Sequence, residues 1–323
     1  MRALICDQYG GIDSLRIGEL PDPTPEKGSL LVKVEAAAVN FADTLMVKGE
    51  YQVRPEPPFA PGYELAGTVI ESNEVEGISP GDRVAGFAYH GGMAEMAVVE
   101  GANAARIPDS LDVDVASTLP GGYGTSYHAL VDRARLRPGE ILLVLGASGG
   151  VGMAAVQIGH VLEARVIAAV SSAEKAEAAL AAGADDVIRY DEVGLREGID
   201  KATGGAGVDV VYDPVGGVST EQALRSTNWN GRLLVIGFAS GEIPSIPLNL
   251  PLLKGNSIMG VFWGRFTQEQ PDRHQENFAQ IIGWAEEGRI APSIQRRFVL
   301  EDAADALRWV AERRAVGRLV VKP

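Results

Sequence analysis

The sequence predicts an α/β fold: a doubly wound parallel sheet joined to a second, mostly-β domain. Three observations carry that expectation. Ile141 to Leu145 is a run of strand formers, broken by Gly146 and followed by Gly149, Gly150 and Gly152, after which Val151, Ala155, Ile158 and Leu162 recur at helical spacing. Strands and helices then alternate for about a hundred residues, the pattern of parallel strands joined by helical crossovers. Before them, short strands punctuated by Gly and Pro suggest a partly closed barrel or sandwich.

In chain order, Arg2 to Cys6, Leu15 to Leu20 and Ser29 to Val39 read as strands, with Pro21, Pro23 and Pro25 stiffening a turn. Asn40 to Lys48 reads as a short helix, and Pro55, Pro57, Pro58 and Pro61 form a loop that ends at Gly62. Ala66 to Ser72, Asp82 to Phe87 and Ala94 to Val99 are further strands. Asp112 to Leu119 is helical, Pro120-Gly121-Gly122 punctuates it, and Gly124 to Arg135 is helical again. The expected parallel strands are Ile141–Leu145, Arg165–Val170, Asp186–Tyr190, Val208–Tyr212, Arg232–Phe238 and Ser257–Trp263. Helices Gly150–Glu163, Ala173–Ala182, Glu192–Thr203 and Thr220–Trp229 connect them. Six strands complete such a sheet, so the tail (helix Pro271–Glu287, strand Ile294–Val299, helix Asp302–Arg314, strand Arg318–Val321) returns to the first domain. The expected division is 1–122 with 265–323 for the mostly-β domain and 123–264 for the parallel sheet.

Composition narrows the function. A chain of 323 residues can hold two domains and bury a large core. Net charge −14 opposes a phosphate backbone, so nucleic acid is not an expected partner. The apolar runs are too short to span a bilayer, so no membrane partner is expected. The start MRALICDQYG lacks the features of a secretion signal. A single cysteine, Cys6, builds neither a disulfide framework nor a thiolate metal site, and suits a cytoplasmic protein.

A glycine turn between strand and helix lets the backbone approach a pyrophosphate, and the helix N-terminus offers free N–H groups and a positive dipole end. Gly146, Ala147, Ser148, Gly149, Gly150, Val151 and Gly152 are therefore the expected dinucleotide cradle. An NAD site usually carries Asp or Glu at the tip of the second strand. Here that tip is Ser171-Ser172, with Lys175 in the following turn. Hydroxyls and a cation suit a 2′-phosphate, so the expected cofactor is NADPH, with Tyr190 at the third strand tip reaching the same adenosine pocket. Glu174 complicates this: turned to the ribose it would favour NAD.

With these features in place the chain resembles the zinc-free quinone oxidoreductases of the medium-chain dehydrogenase/reductase superfamily. The resemblance rests on Ala36–Asp43, Pro61–Gly67, Gly81–Val84, Leu119-Pro120 with Gly124-Thr125, Gly146–Gly152, Gly260–Gly264 and Gly317–Val320. It implies a GroES-like barrel catalytic domain, a Rossmann domain, an active cleft between them, and commonly a homodimer. Pairing of the apolar sheet edge Ser257–Trp263 is a plausible route to that dimer. Where zinc-dependent relatives carry a catalytic Cys, this chain has Asn40 or its neighbours. Where they carry Gly-His-Glu, it has Gly62-Tyr63-Glu64, and the scattered His90, His128, His160 and His274 have no ligand spacing. No metal is expected.

The resemblance implies hydride transfer from the nicotinamide to a small molecule, a quinone or an α,β-unsaturated carbonyl. The catalytic candidates are Asn40 as an amide donor, Tyr51 as the donor beside the substrate, and Tyr63 in the place of the zinc-ligand His. Asp43 could orient Asn40. Thr125 resembles the residue contacting the nicotinamide ribose, Phe238, Phe262 and Trp263 would flank the nicotinamide, and Arg318 would lie near the cofactor phosphates. The alternatives are an enone or enoyl reductase, including enoyl-CoA, and a non-catalytic nucleotide-binding protein. Lys48, Arg54 and Arg265 are the cations available to a CoA, and they form no evident cluster.

Overall fold

The computed structural model describes residues 1–323 and divides into two compact units. One comprises Met1–Gly121, Phe266–Gly288 and Pro292–Pro323; the other comprises Gly122–Arg265 and Arg289–Ala291.

The first unit is mostly β. Strands β1 (Arg2–Ile5) and β2 (Arg16–Glu19) form an antiparallel ribbon. Then come β3 (Ser29–Ala38), α1 (Phe41–Met46), β4 (Glu64–Asn73), β5 (Arg83–Phe87), β6 (Met96–Glu100), β7 (Ala104–Arg106) and α2 (Val113–Ala116). Leu30, Val32 and Val34 of β3 alternate inward and meet Leu65, Val69, Val84 and Val99 in one core, the period-two pattern of a sheet buried on one face.

The second unit contains α3 (Gly124–Tyr127), β8 (Ile141–Leu145), α4 (Gly150–Val161), β9 (Arg165–Val170), α5 (Ala173–Ala181), β10 (Asp186–Arg189) and α6 (Leu195–Thr203). It continues with β11 (Val208–Asp213), α7 (Val218–Arg225), β12 (Thr227–Val235), α8 (Asn249–Lys254) and β13 (Ser257–Gly260). The strands lie in the order β10-β9-β8-β11-β12-β13 and every pairing is parallel. This is the doubly wound Rossmann order. Helices cover both faces, so the strands are nearly uninterrupted apolar runs; Leu143, Ile167, Val211 and Leu233 share one core.

The chain then passes through α9 (Trp263–Glu269) into α10 (Pro271–Glu286), β14 (Ile294–Val299), α11 (Ala303–Ala311) and β15 (Arg318–Lys322). Strands β14 and β15 extend the sheet of the first unit in the order β14-β15-β3-β4-β5-β7, with β6 also on β3. The tail therefore rejoins the first unit through β15 on β3, and that unit has the GroES-like fold.

Several boundaries differ from the sequence reading. Pro120-Gly121-Gly122 does not punctuate a helix: Leu119–Tyr123 runs on as a π-helical turn. The helix expected to end at Trp229 stops at Arg225, and Trp229 lies in β12, because the chain from Ser226 is drawn into the sheet: the Val208 N–H donates to the Ser226 carbonyl and Thr227 pairs with Val208 of β11. Strand β12 ends at Val235, before Phe238, since the Ile236 and Gly237 amides turn onto the Asp213 carbonyl. Strand β13 ends at Gly260, so Trp263 opens a helix and does not close a strand.

Candidate functional site

The glycine turn follows β8 and leads into α4. Gly146 takes φ 57°, a left-handed conformation that favours glycine. At Gly152 a Cβ would lie 2.2 Å from the Gly146 carbonyl oxygen, so only a glycine lets the helix start this close to the turn. The N-cap of α4 is Gly149, and no side chain caps the helix. The amides of its first turn thus face outward with a dipole suited to an anion.

The tip of β9 is polar. Lys175 Nζ donates to Ser171 Oγ at 3.2 Å, and Ser172 Oγ accepts the Lys175 N–H at 3.3 Å as the N-cap of α5. The structure thus brings Ser171, Ser172 and Lys175 together. Tyr190 joins them through its N–H to the Val170 carbonyl at 3.1 Å, with its ring 44% exposed. Glu174 is exposed. Thr125 lies in α3, and its neighbour Gly124 is closed over by the Trp263 indole: a Cβ there would meet Trp263 Cζ2 at 2.7 Å. Trp263 is buried, whereas Phe262 is 58% exposed and Phe238 lies at the surface beside Gly216.

The first unit holds the second set of candidates. Asn40 is the N-cap of α1, as its residue type suits. Its backbone N–H donates to Asp43 Oδ2 at 2.8 Å, and Asp43 Oδ1 accepts from the Gly62 N–H at 3.2 Å. Gly62 has no alternative: φ is 109°, and a Cβ would strike the Met93 nitrogen at 2.5 Å. Asp43 is fully buried, and burial raises its carboxyl pKa to about 7 against the pull of these amides. Glu64 follows at the start of β4, also fully buried. It pairs with Arg318 at the start of β15, accepts the Asn40 amide at 3.0 Å on Oε1 and the Gly121 N–H at 2.5 Å on Oε2. Arg318 Nη1 reaches Asn40 Oδ1 at 3.3 Å.

Tyr51 is half-buried against Met46, Val47 and Phe59. Burial, then the nearby charge of Asp43, pushes its phenol up to about 12. Tyr63 is buried, its ring stacked on Phe87 (5.7 Å between centroids, 11°) and met edge-on by Tyr89. Burial raises its phenol well above the usual range. A cavity of about 630 Å³ in the same unit is walled by Val53, Phe59, Phe87, Tyr89 and Met96. Glu26, Glu56 and Glu100 border it, and no Lys or Arg does.

Residues 26–109 match the alcohol dehydrogenase GroES-like domain, and residues 150–286 match the zinc-binding dehydrogenase family. Quinone oxidoreductase-like protein 2 of Bos taurus is 40% identical over 322 residues, covering 99% of this chain and 92% of the relative. The chain belongs to the quinone oxidoreductase-like family of the medium-chain dehydrogenase/reductase superfamily. Two solved structures of similar fold are oxidoreductase relatives complexed with NADPH. A mycobacterial one is 31% identical with TM-score 0.93, and the quinone oxidoreductase of Escherichia coli is 27% identical with TM-score 0.92; each covers 100% of both chains.

Against what membership in this family leads one to expect, two residues need correcting. Arg318 is not presented to cofactor phosphates: its side chain is 5% exposed and spent on Glu64 and Asn40. Asn40 is not a free amide donor, since its Nδ2 bonds to Glu64 Oε1 and the Ala38 carbonyl and its Oδ1 accepts from Arg318. Glu64 and Asp43 are the residues that sequence reasoning undervalued. A buried Glu in the motif Gly62-Tyr63-Glu64 needs a buried cation, and Arg318 is the one that closing the sheet delivers.

Nor does the donor set fit a zinc ion. Both Glu64 oxygens are committed to protein donors, Tyr63 is packed between rings, and no group of three or more His, Cys, Asp and Glu side chains is gathered to hold a metal.

Proposed function

We propose that this member of the family is an NADPH-dependent, metal-independent reductase of quinones. The observation that carries the cofactor choice is the polar tip of β9: Ser171, Ser172 and Lys175 converge where an NAD enzyme carries a carboxylate, and Glu174 is exposed. The chain fits the dinucleotide, because the first turn of α4 is uncapped by any side chain and the glycines leave no Cβ over it. In this reading Gly146–Gly152 holds the pyrophosphate. Ser171, Ser172 and Lys175 hold the 2′-phosphate, and Tyr190 borders the adenosine. Thr125, Phe238, Phe262 and Trp263 border the nicotinamide end.

When bound, the nicotinamide supplies the hydride. The protein's own task is to orient, to exclude water and to meet the charge that develops on the acceptor oxygen. Tyr51 keeps its proton at neutral pH, with a phenol pushed up to about 12. It therefore offers a hydrogen bond to that oxygen, while water supplies the proton, since a phenol raised this far is a poor acid. Tyr63 shapes the wall, its ring held by Phe87 and Tyr89. Asp43, Glu64 and Arg318 act one step back, fixing the α1 N-terminus and Gly62.

What supports a quinone as the acceptor is kinship with relatives that carry that name; the cavity of about 630 Å³ is lined by neither Tyr51 nor Tyr63 and does not bear on the choice. The enone reading on the same scaffold stays open to test. Steady-state rates with NADPH and NADH on 1,4-naphthoquinone, a short enone and an enoyl thioester decide among them. Highest kcat/KM for NADPH with the quinone is expected; preference for the thioester overturns this reading.

The proposal includes a homodimer. Strand β13 is a sheet edge, and Leu248, Leu252 and Leu253 on or beside α8 are each more than 70% exposed near it. Such an edge with apolar flanks suits a second copy of the chain. Light scattering should give twice the 34.1 kDa chain mass, and Leu252→Asp with Leu253→Asp should lower it.

A further inference from the structure

Asp213, the last residue of β11, is buried in the parallel-sheet unit and makes an unusual number of bonds with one carboxylate. Its Oδ1 accepts the backbone N–H groups of Val215 and Gly216, both at 2.9 Å. Its Oδ2 accepts the hydroxyl of Thr220, in the first turn of α7, at 2.5 Å. Three donors satisfy a buried carboxylate that would otherwise be costly to place there.

The loop folded by these bonds is Pro214 to Gly217, and it touches two of the segments assigned to the nucleotide. On one side the Val215 side chain covers the glycine turn: a Cβ on Gly146 would lie 3.0 Å from Val215 Cγ2. On the other side its backbone pairs with the segment after β12. Pro214 O accepts from the Ala239 N–H at 3.0 Å, Val215 O from the Ser240 N–H at 2.8 Å, and the Gly217 N–H donates to Glu242 O at 3.0 Å. Gly216, at φ 76°, lies against Phe238: a Cβ there would meet Phe238 Cδ1 at 2.9 Å. Both segments lean on the loop that Asp213 shapes.

We propose that Asp213 is a positioning residue for the dinucleotide. By setting the Pro214–Gly217 loop through Val215, Gly216 and Thr220, it fixes the glycine turn and the Phe238 segment in register with each other. The inference rests on the reading of Gly146–Gly152 as the pyrophosphate cradle. The carboxylate need not touch the ligand; it holds the two walls that do.

The test is direct binding of NADPH to the full chain, followed by nucleotide fluorescence, beside steady-state kinetics. Wild type is titrated first; absence of binding there overturns the nucleotide reading itself, and this inference with it. Given wild-type binding, Asp213→Ala should raise Kd for NADPH at least tenfold and KM for NADPH in parallel. KM for the acceptor should stay within about threefold. Asp213→Asn keeps an oxygen for Val215 and Gly216 and an amide that can donate to the Thr220 hydroxyl, so it should restore Kd to within about threefold of wild type. A residue that only stabilised the fold would lower Tm in both variants without this split. Folded Asp213→Ala with wild-type Kd overturns the proposal. If Asp213→Ala does not fold, Thr220→Val decides: it removes one of the three bonds and should raise Kd about threefold or more, and an unchanged Kd overturns the proposal.

Discussion

His274 offers a sharp test of how the mostly-β unit is held together. It lies on α10, 2% exposed, stacked on Phe278 (6.0 Å, 9°) and met edge-on by Phe87 and Phe266. Burial among these rings lowers its pKa from 6.5 to about 4. The unfolded chain therefore binds a proton below pH 6.5 that the folded chain refuses until about pH 4. Stability from this group is full above pH 6.5 and is lost as the pH falls towards 4. At 1.36 kcal/mol for each unit of displacement, the loss reaches about 3 kcal/mol. Asp43 works in the opposite sense. Its pKa is raised from 3.8 to about 7, so the folded chain holds a proton that the unfolded chain releases, and stability is lost as pH rises through that window. Over most of pH 4 to 6.5 the two residues offset each other in protons bound, and the wild-type curve hides both. His274→Phe keeps a ring in the aromatic cluster and removes the titration. Unfolding free energies of wild type and His274→Phe, measured by urea titration from pH 7.5 to 4, should diverge. The wild type should lose about 3 kcal/mol relative to the variant, at roughly 1.4 kcal/mol per pH unit through the window. Parallel curves would refute the argument that burial keeps this imidazole neutral. Asp43→Asn should show the converse, with the wild type losing stability relative to it as pH rises from 4 to 7.

Three further substitutions test the site. Lys175→Ala should raise KM for NADPH by about ten- to a hundredfold, the worth of a charge-assisted hydrogen bond, and KM for NADH by less than about threefold; equal effects in steady-state kinetics would refute the phosphate assignment. Tyr51→Phe should lower kcat about tenfold or more while leaving the NADPH Kd unchanged, and unchanged turnover removes Tyr51 from the chemistry. Arg318→Met leaves the Glu64 carboxylate buried without its cation and should cost about 3–5 kcal/mol in urea unfolding; a loss under about 1 kcal/mol would show that the pair is not the lock on β4 and β15.

The parallel-sheet unit was legible because its signals are local. Ile141–Leu145 and Arg165–Val170 are apolar runs bounded by turn residues, and both strands occur at those bounds. Ser171, Ser172 and Lys175 lie within five residues, so their convergence at the β9 tip follows from one N-cap. Where local signals misled, tertiary bonding had the final word. Phe238 looked like the end of a strand, yet the backbone turns at Ile236 and Gly237 to meet the Asp213 carbonyl. Trp263 looked like strand and begins a helix, with its indole packed against Gly124.

The reading of Arg318 failed for a reason that explains much of the site. Nothing near residue 318 in sequence announces a carboxylate at residue 64, 254 positions earlier. Only the sheet order, with β15 beside β3 and β3 beside β4, carries the arginine to Glu64. Glu64 in turn lies next to Gly62, whose amide Asp43 holds, and Asp43 also holds the Asn40 amide that opens α1. Two buried carboxylates and one buried guanidinium thus tie three distant segments at the place where α1, β4 and β15 begin. Burying such charges gives little net stability over well-packed apolar residues. What they provide is geometry: each oxygen has an assigned donor, so the backbone at Asn40 and Gly62 has one arrangement. That is what the proposed chemistry, which works by holding partners in place, would require of this core, where packing alone would be content with leucine.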